Sequence, residues 1–397
     1  MINKKVMALA VAGALAAPAV AFAQASNVQI YGRANIGFDN YSAKGATAAA
    51  SDYEGRNRVF DSSSRLGFRG TEDLGNGLSA IFQLESGVGF DTGSALSQSG
   101  GANASAGTLA SRASWAGLKG GWGQVTFGRQ DIYWGNGVIA QSAANYINTD
   151  VSFATGSFGR VAGPVARQSN TIQYQSPRMG GFSGVASWSS GASEPTAAAV
   201  AGARADGKIW GLTARYNGIV NVQWDYATNE ANSPAAPAVQ RSKLIGNKIG
   251  LGWPYAPGAQ ISVIYYQQQN RNTATAVAGY SAVGDNMKQT GWVLNWEHMF
   301  GNIQALAMYG KLNRTTGSSV VVAGGGSGND GTEVKSYMVG ARYILSKRTG
   351  IYATYNQTTN GSNATADYTG GGYTAATAPL SAGADPKIIA VGVMHNF

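Results

Sequence analysis

Short segments in which apolar and polar residues alternate recur along almost the whole chain. In Ser64–Gly70, Leu66 and Phe68 occupy one phase of the alternation, whereas Arg65 and Arg69 occupy the other. A period of two residues is typical of β-strands, because successive side chains of a strand point to opposite faces. We count sixteen such segments, most of them close to the ~9–11 residues with which a tilted strand crosses a bilayer.

The connections between these segments alternate strictly between short turns and long stretches. Glu72–Gly77 and Gly120–Gly123 are short, whereas residues 86–111 and Asp131–Gln168 are long. This rhythm places all long loops at one end of the sheet, as in outer-membrane barrels with an even number of strands. A soluble antiparallel sheet would also alternate along its strands, but it does not predict the loop asymmetry. The sequence therefore predicts an all-β fold, a 16-stranded antiparallel transmembrane β-barrel with short periplasmic turns and long extracellular loops.

The N-terminal segment has the features of a signal peptide. Lys4 and Lys5 precede an apolar run that ends in the small residues Ala21–Ala23, and the run is too short to span a bilayer comfortably. We expect cleavage after Ala23, with Ala25 as a second possible position. Residues 24–397 are then a single barrel domain, because no linker or shift of composition divides them.

Composition narrows the classes of partner and cofactor. The net charge of +9 falls to +7 once the two lysines of the signal are removed, and only 12% of residues are charged. This low density of charge excludes the basic clusters of a nucleic-acid-binding protein, so no nucleic-acid partner is predicted. The chain has no cysteine, so no disulfide stabilises the exported protein.

Catalytic and metal-binding patterns are absent from the alternating segments. The two histidines, His298 and His395, lie in the lipid-facing phase near strand ends, and the carboxylates are scattered. Gly326–Glu333 is rich in oxygen ligands but lacks the spacing of an EF-hand, so calcium binding and a flexible loop both stay open. We therefore predict no cofactor and no enzymatic activity, with an outer-membrane hydrolase as the alternative.

Basic residues occupy the water-facing phase of many segments. Sixteen strands enclose a lumen too wide for side chains to fill, so an aqueous channel is expected. Arg112 is in the phase opposite Trp115, whereas Arg129 shares the phase of the outward Phe127. Together the inward residues would form a positive wall that attracts anions, although each could equally be an ordinary solvated charge. These predicted inward residues are Arg33, Arg65, Arg69, Arg112, Arg167, Arg215, Lys248 and Arg342.

The longest connection, Asp131–Gln168, carries more apolar residues than a solvated loop needs. We expect it to fold into the barrel, pack against the wall and narrow the channel. Asp131 or Asp150 would then face the arginines across the gap and set a transverse field. The apolar residues are Ile132, Tyr133, Trp134, Tyr146, Ile147, Phe153 and Phe158.

Five stretches carry a resemblance to a known family. They are Ser64–Glu85, Ala113–Gln130, Arg167–Pro177, Leu345–Tyr355 and Val391–Phe397. Together they resemble the Gram-negative trimeric general porins, in particular the betaproteobacterial branch, over essentially the whole mature chain. The third loop lacks the PEFG turn that some relatives of this architecture carry.

The resemblance implies a homotrimer in the lipid of the outer membrane, with a third loop folded into the pore. It also implies that Arg65, Arg112 and Arg167 form a cluster at the constriction, where we place Asp131 and Asp150 as their acidic partners. Phe397 resembles the signal that the barrel-assembly machinery recognises on the C-terminal strand. The expected function is passive diffusion of small anionic and neutral solutes with an anion preference. The alternative is a substrate-specific channel with a saturable site.

Overall fold

The computed structural model describes most of the mature chain. The described residues are 27–48, 52–91, 109–132, 161, 164, 167–190, 208–232, 241–271, 273, 280–321, 325–368 and 380–397. No helix within these ranges is long and apolar enough to span a membrane. The predicted signal peptide at residues 1–23 and the cleavage site after it lie outside the described residues.

Within the described residues, seventeen strands form one antiparallel sheet that closes when β1 pairs with β17. The strands are β1 Asn27–Lys44, β2 Tyr53–Asp61, β3 Arg65–Gly75, β4 Leu78–Gly87, β5 Ser114–Gly120, β6 Gly123–Asp131, β7 Arg167–Gln175, β8 Phe182–Ser189, β9 Lys208–Asn217, β10 Asn221–Asn232, β11 Arg241–Ala256, β12 Ala259–Arg271, β13 Met287–Phe300, β14 Ile303–Leu312, β15 Val334–Ile344, β16 Thr349–Asn360 and β17 Asp385–Asn396.

Two of these strands, β2 and β3, are halves of one wall strand. The C-terminal half of β1 pairs with β2, and its N-terminal half pairs with β3. Ser62–Ser64 separate β2 from β3. The barrel therefore has sixteen wall strands, as the alternation predicts. Tyr53–Asp61 continues the wall, although this stretch lacks the apolar alternation by which we count strands in the sequence. Charged and amide side chains such as Arg58 and Asn57 indicate that this extension stands in water, where apolar alternation is not required.

The outer face of the wall is apolar, as predicted. Leu66, Phe127, Leu251 and Val391 are 37–55% exposed on the outward phase of their strands. A closed sheet leaves no unpaired edge, and an apolar outer band is the surface that lipid solvates. His298 and His395 share this outward phase. The Nδ1 atom of His298 is hydrogen-bonded to the hydroxyl of Tyr255 at 2.8 Å.

Part of the inner face is apolar too, which the alternation does not predict. Ile264, Tyr266, Val293, Leu306 and Met308 point inward from β12, β13 and β14, and each is at most 3% exposed. Burial to this extent is not compatible with a wall that only faces water. The inner wall of β12–β14 is therefore a packing surface.

A segment of the connection between β16 and β17 folds into the extracellular mouth of the barrel. Ala364, Ala366 and Tyr368 are buried in the same cluster as Tyr41 of β1. The Tyr41 hydroxyl donates to Asp367 Oδ1 at 3.0 Å, and the backbone N–H of Tyr368 donates to the same oxygen at 2.8 Å. Burial raises the pKa of Asp367, whereas these hydrogen bonds and the positive charge of Arg58 lower it. Burial has the larger effect, and the resulting pKa is about 6.

The raised pKa of Asp367 predicts a stability that increases on mild acidification. Because its folded pKa of about 6 exceeds the ordinary 3.8, the folded protein binds more protons than the unfolded chain between these values. We expect unfolding free energy to rise by at most about 3 kcal/mol as the pH falls from 7 to 4. Thermal unfolding of the wild type and Asp367→Asn across this range measures the difference, and parallel pH profiles would contradict it.

Candidate functional site

Arg65 and Arg112 converge on one carboxylate of the inner wall. Arg112 Nε donates to Glu85 Oε1 at 2.6 Å, and Arg65 Nε lies 3.7 Å from Glu85 Oε2. The hydroxyl of Tyr31 donates to the same Oε2 at 3.2 Å. Arg112 and Glu85 are 7% and 8% exposed, so this ion pair is set into the wall. Glu85 therefore anchors both arginines on the inner wall.

Arg167 pairs with a different carboxylate. It lies directly opposite Asp131 in the β6–β7 register, with Arg167 Nε 2.9 Å from Asp131 Oδ1 and Nη2 3.2 Å from Oδ2. Asp131 therefore contacts Arg167 on the same wall and does not face it across a gap. Asp150, the other predicted acidic partner, lies outside the described residues.

Arg129 joins these groups although strand phase places it outward. The β6–β7 register shifts between Gly128 and Gln130, where Ser169 and Asn170 of β7 bulge opposite the single residue Arg129. Its Nε donates to the Ser111 carbonyl at 3.1 Å and its Nη1 to Ser169 Oγ at 2.8 Å. Asn170, inside the bulge, has a φ of 52°, a left-handed conformation that asparagine adopts more readily than most residues.

We call Arg65, Arg112, Arg129, Arg167, Glu85 and Asp131 the arginine cluster. Arg112 is close enough to Arg65 and Arg167 to be repelled by both, and Arg129 is repelled by Arg167. Four guanidinium groups against two carboxylates leave two positive charges. Arg65 and Glu85 occupy the inward phase of β3 and β4, so this side of the cluster faces the lumen.

The remaining basic residues predicted to face inward do so. Arg33 lies opposite Arg65 in the β1–β3 register, and Arg69 lies four residues further along β3 towards the periplasmic turn. Lys248 is 1% exposed and opposite Asp225, so its charge is balanced within the wall. Arg215 and Arg342 also occupy the inward phase, of β9 and β15.

Trp115 points into the lumen, which corrects the expectation that it opposes Arg112. It pairs directly with Gln83, whose side chain is inward, and cross-strand partners share one face of a sheet. Arg112 precedes β5 and bonds to Glu85 from outside the strand, so strand phase does not relate it to Trp115. The wall at this height therefore carries both an indole and guanidinium groups.

The described parts of the connection between β6 and β7 touch the inner wall. Ile132 is 1% exposed, and its carbonyl lies over Gly211 of β9, where an added Cβ would come within 2.3 Å of the oxygen. Val161 packs with Tyr280 and Met287 near the start of β13, on a distant part of the circumference. The other apolar residues predicted to anchor this connection lie outside the described ranges.

The oxygen-rich stretch Gly326–Glu333 uses its oxygens within the loop. Asp330 Oδ2 accepts from the Ser327 N–H, Asp330 Oδ1 pairs with Arg314, and Asn329 Oδ1 accepts from the Ser318 N–H. In the described part of the chain, no three His, Asp or Glu side chains lie together as a metal site would require.

Comparison with known proteins agrees with this geometry. A family model described as Gram-negative porin matches residues 8–364. The major outer membrane protein P.IB of Neisseria gonorrhoeae is 27% identical over 350 residues, which cover 85% of this chain and 89% of the relative. An outer membrane porin protein of Bordetella pertussis is 30% identical over 383 residues, covering 86% and 91%.

Solved structures share the fold at lower identity. The anion-selective porin from Comamonas acidovorans has a TM-score of 0.70 at 20% identity and covers 94% of this chain and 100% of its own. OmpT of Vibrio cholerae, in a trimer form, has a TM-score of 0.61 at 12% identity with the same coverage. Because the family model covers most of the residues and the barrel closes on sixteen wall strands, this chain belongs to the Gram-negative porin family.

Proposed function

We propose that this general diffusion porin of the outer membrane prefers anions, and that the arginine cluster sets the preference. The observation that carries the proposal is the excess of two positive charges in the arginine cluster, with Arg112 and Glu85 buried beside one another. Fixed charges lining a pore select ions by sign. The structural neighbour from Comamonas acidovorans is itself described as anion-selective.

We propose further that the β6–β7 connection narrows the pore in front of this cluster. Ile132 belongs to the same buried cluster as Ile264, Val293 and Met308 of the inner wall. Their burial is what a loop packed against the wall would produce. Arg65, Arg112, Arg167 and Asp131, with Asp150, would then form the constriction.

The assembled form that we propose is a homotrimer in outer-membrane lipid, inserted by the barrel-assembly machinery. Support for three copies comes from the trimer form of OmpT. Phe397 carries the proposed assembly signal, because it is 44% exposed and shares the outward phase with Val391 and Val393. Its backbone exchanges two hydrogen bonds with Gly32, of 3.0 and 3.1 Å, so the signal lies at the seam that closes the barrel.

Reversal potentials in a salt gradient test the anion preference. We expect the wild type to favour chloride over potassium and Glu85→Gln to favour it more, because the substitution removes one of the two carboxylates of the arginine cluster. Glu333→Gln is the matched control, since Glu333 belongs to the loop before β15. A wild-type preference for cations would refute the proposal, as would an unchanged potential in Glu85→Gln.

A further inference from the structure

A cavity of about 720 Å³ lies on the inner wall towards the periplasmic end of β1 and β3–β6. It is distinct from the arginine cluster, because none of that cluster's six residues lines it. Among the described residues, no aspartate or glutamate lines it either. The polar and aromatic side chains that line it include Gln29, Arg69, Gln83, Trp115, Lys119 and Gln124.

Four of these side chains form one row across adjacent strands. Gln29 lies opposite Arg69, Arg69 opposite Gln83, and Gln83 opposite Trp115. Neighbouring strands are about 4.8 Å apart, so the backbones at Arg69 and Trp115 are separated by about 10 Å. The row thus presents a guanidinium and an indole on either side of Gln83.

The Arg69 guanidinium is held in place from two sides. Its Nε donates to Gln29 Oε1 at 2.8 Å, and its central carbon lies 5.1 Å from the centre of the Tyr31 ring. Among the described residues no carboxylate pairs with it, and its two Nη groups make no hydrogen bond to the protein. A guanidinium fixed in this way offers parallel donors to a carboxylate.

The opposite end of the row offers an apolar face and a free donor. Trp115 is half-buried, and within the described part of the chain its indole N–H has no acceptor. Lys119, on the same strand and also lining the cavity, has no carboxylate partner among the described residues. An aromatic face beside convergent polar groups is typical of sites for small cyclic solutes.

We propose that this cavity is a binding subsite for small carboxylates that carry a six-membered ring. The carboxylate binds Arg69, the ring packs against Trp115, and Lys119 adds positive charge at the periplasmic side. The subsite deepens the proposed function, since it assumes that anions enter the lumen. Binding is weak, with Kd values in the millimolar range, because a solute in transit must be released.

Single-channel recording with periplasmic addition of solutes tests the subsite. Benzoate and glucuronate are the ring carboxylates, acetate lacks the ring, and glucose lacks the charge. We expect both ring carboxylates to interrupt the current saturably, and acetate and glucose not to. Block by benzoate alone would show that the subsite prefers an aromatic ring, and block by glucuronate alone would show that it prefers a sugar ring. Either result supports the proposal. Equal block by acetate or by glucose would overturn it.

Variants separate the two contacts. Trp115→Ala should weaken block roughly three- to tenfold, with recovery in Trp115→Phe, and Arg69→Gln should weaken it about tenfold. Trp122→Ala is the matched control, because Trp122 lies in the β5–β6 turn and does not line the cavity. Unchanged block in Trp115→Ala, or no block of a channel that still prefers chloride, would reject the subsite while leaving the proposed function standing. Loss of the chloride preference itself would instead reject the proposed function.

Discussion

Replacing Arg65, Arg112 and Arg167 together by alanine is expected to abolish the anion preference of the channel. The substitution leaves Arg129 against Glu85 and Asp131, so the excess of two positive charges in the arginine cluster becomes one negative charge. Fixed charge of one sign in the lumen favours the passage of ions of the opposite sign. This effect is strongest at low salt, where the Debye length exceeds about 10 Å and the fixed charges are screened least. The reversal potential in a potassium chloride gradient should therefore shift towards the potassium potential.

A control with the same loss of charge separates this effect from the overall charge of the protein. Arg178, Lys347 and Arg348 lie in the short connections at the other end of the strands, between β7 and β8 and between β15 and β16. Their triple alanine variant removes three positive charges away from the arginine cluster and should retain most of the preference. An equal shift in both triple variants would show that the arginine cluster is not the selectivity element.

Gly211→Ala is expected to displace the β6–β7 connection from the inner wall and to open a wider conducting state. The added Cβ would lie 2.3 Å from the Ile132 carbonyl oxygen, so the backbone at Ile132 must move. Overpacking of this kind costs about 1–3 kcal/mol. A cost of that size raises the population of a displaced state roughly 5- to 150-fold. Single-channel conductance, with its dwell times in the larger state, measures the change.

Gly184→Ala is the matched control for this substitution. Gly184 lies on the adjacent strand β8, and an added Cβ there meets its nearest atom, the Thr213 carbonyl oxygen, at 3.5 Å. Deleting 146–156 should raise conductance by a second route, because it shortens the proposed constricting segment. If both Gly211→Ala and the deletion conduct as the wild type does, the connection does not narrow the pore.

Several features of this porin follow from local pattern alone. Alternation predicts the number of wall strands and the lipid-facing side, because the two faces of a strand always alternate. The same rule turns Arg65, Arg69, Arg215 and Arg342 inward. Each of these residues lies within a regular ladder of paired strands. In such a ladder the phase of one residue determines the face to which every other side chain points.

Local pattern was insufficient wherever the backbone leaves the ladder or the chain contacts a distant strand. Arg129 lies opposite the bulge of β7 and bonds to Ser169 within it, and Arg112 reaches Glu85 from outside β5, so strand phase predicts neither set of contacts. The apolar inner wall at Ile264 and Val293 packs in the interior, where alternation alone predicts water.

The sequence by itself determined the barrel, its two faces and the basic character of its lumen, because these depend on which residue types alternate. Only the tertiary structure decided which charges are neutralised, since that depends on residues that meet through closure and register. Glu85 joins Arg65 to Arg112, Asp131 pairs with Arg167, and the balance that remains is a property of the folded wall. The row from Gln29 to Trp115 likewise exists only because four strands are aligned.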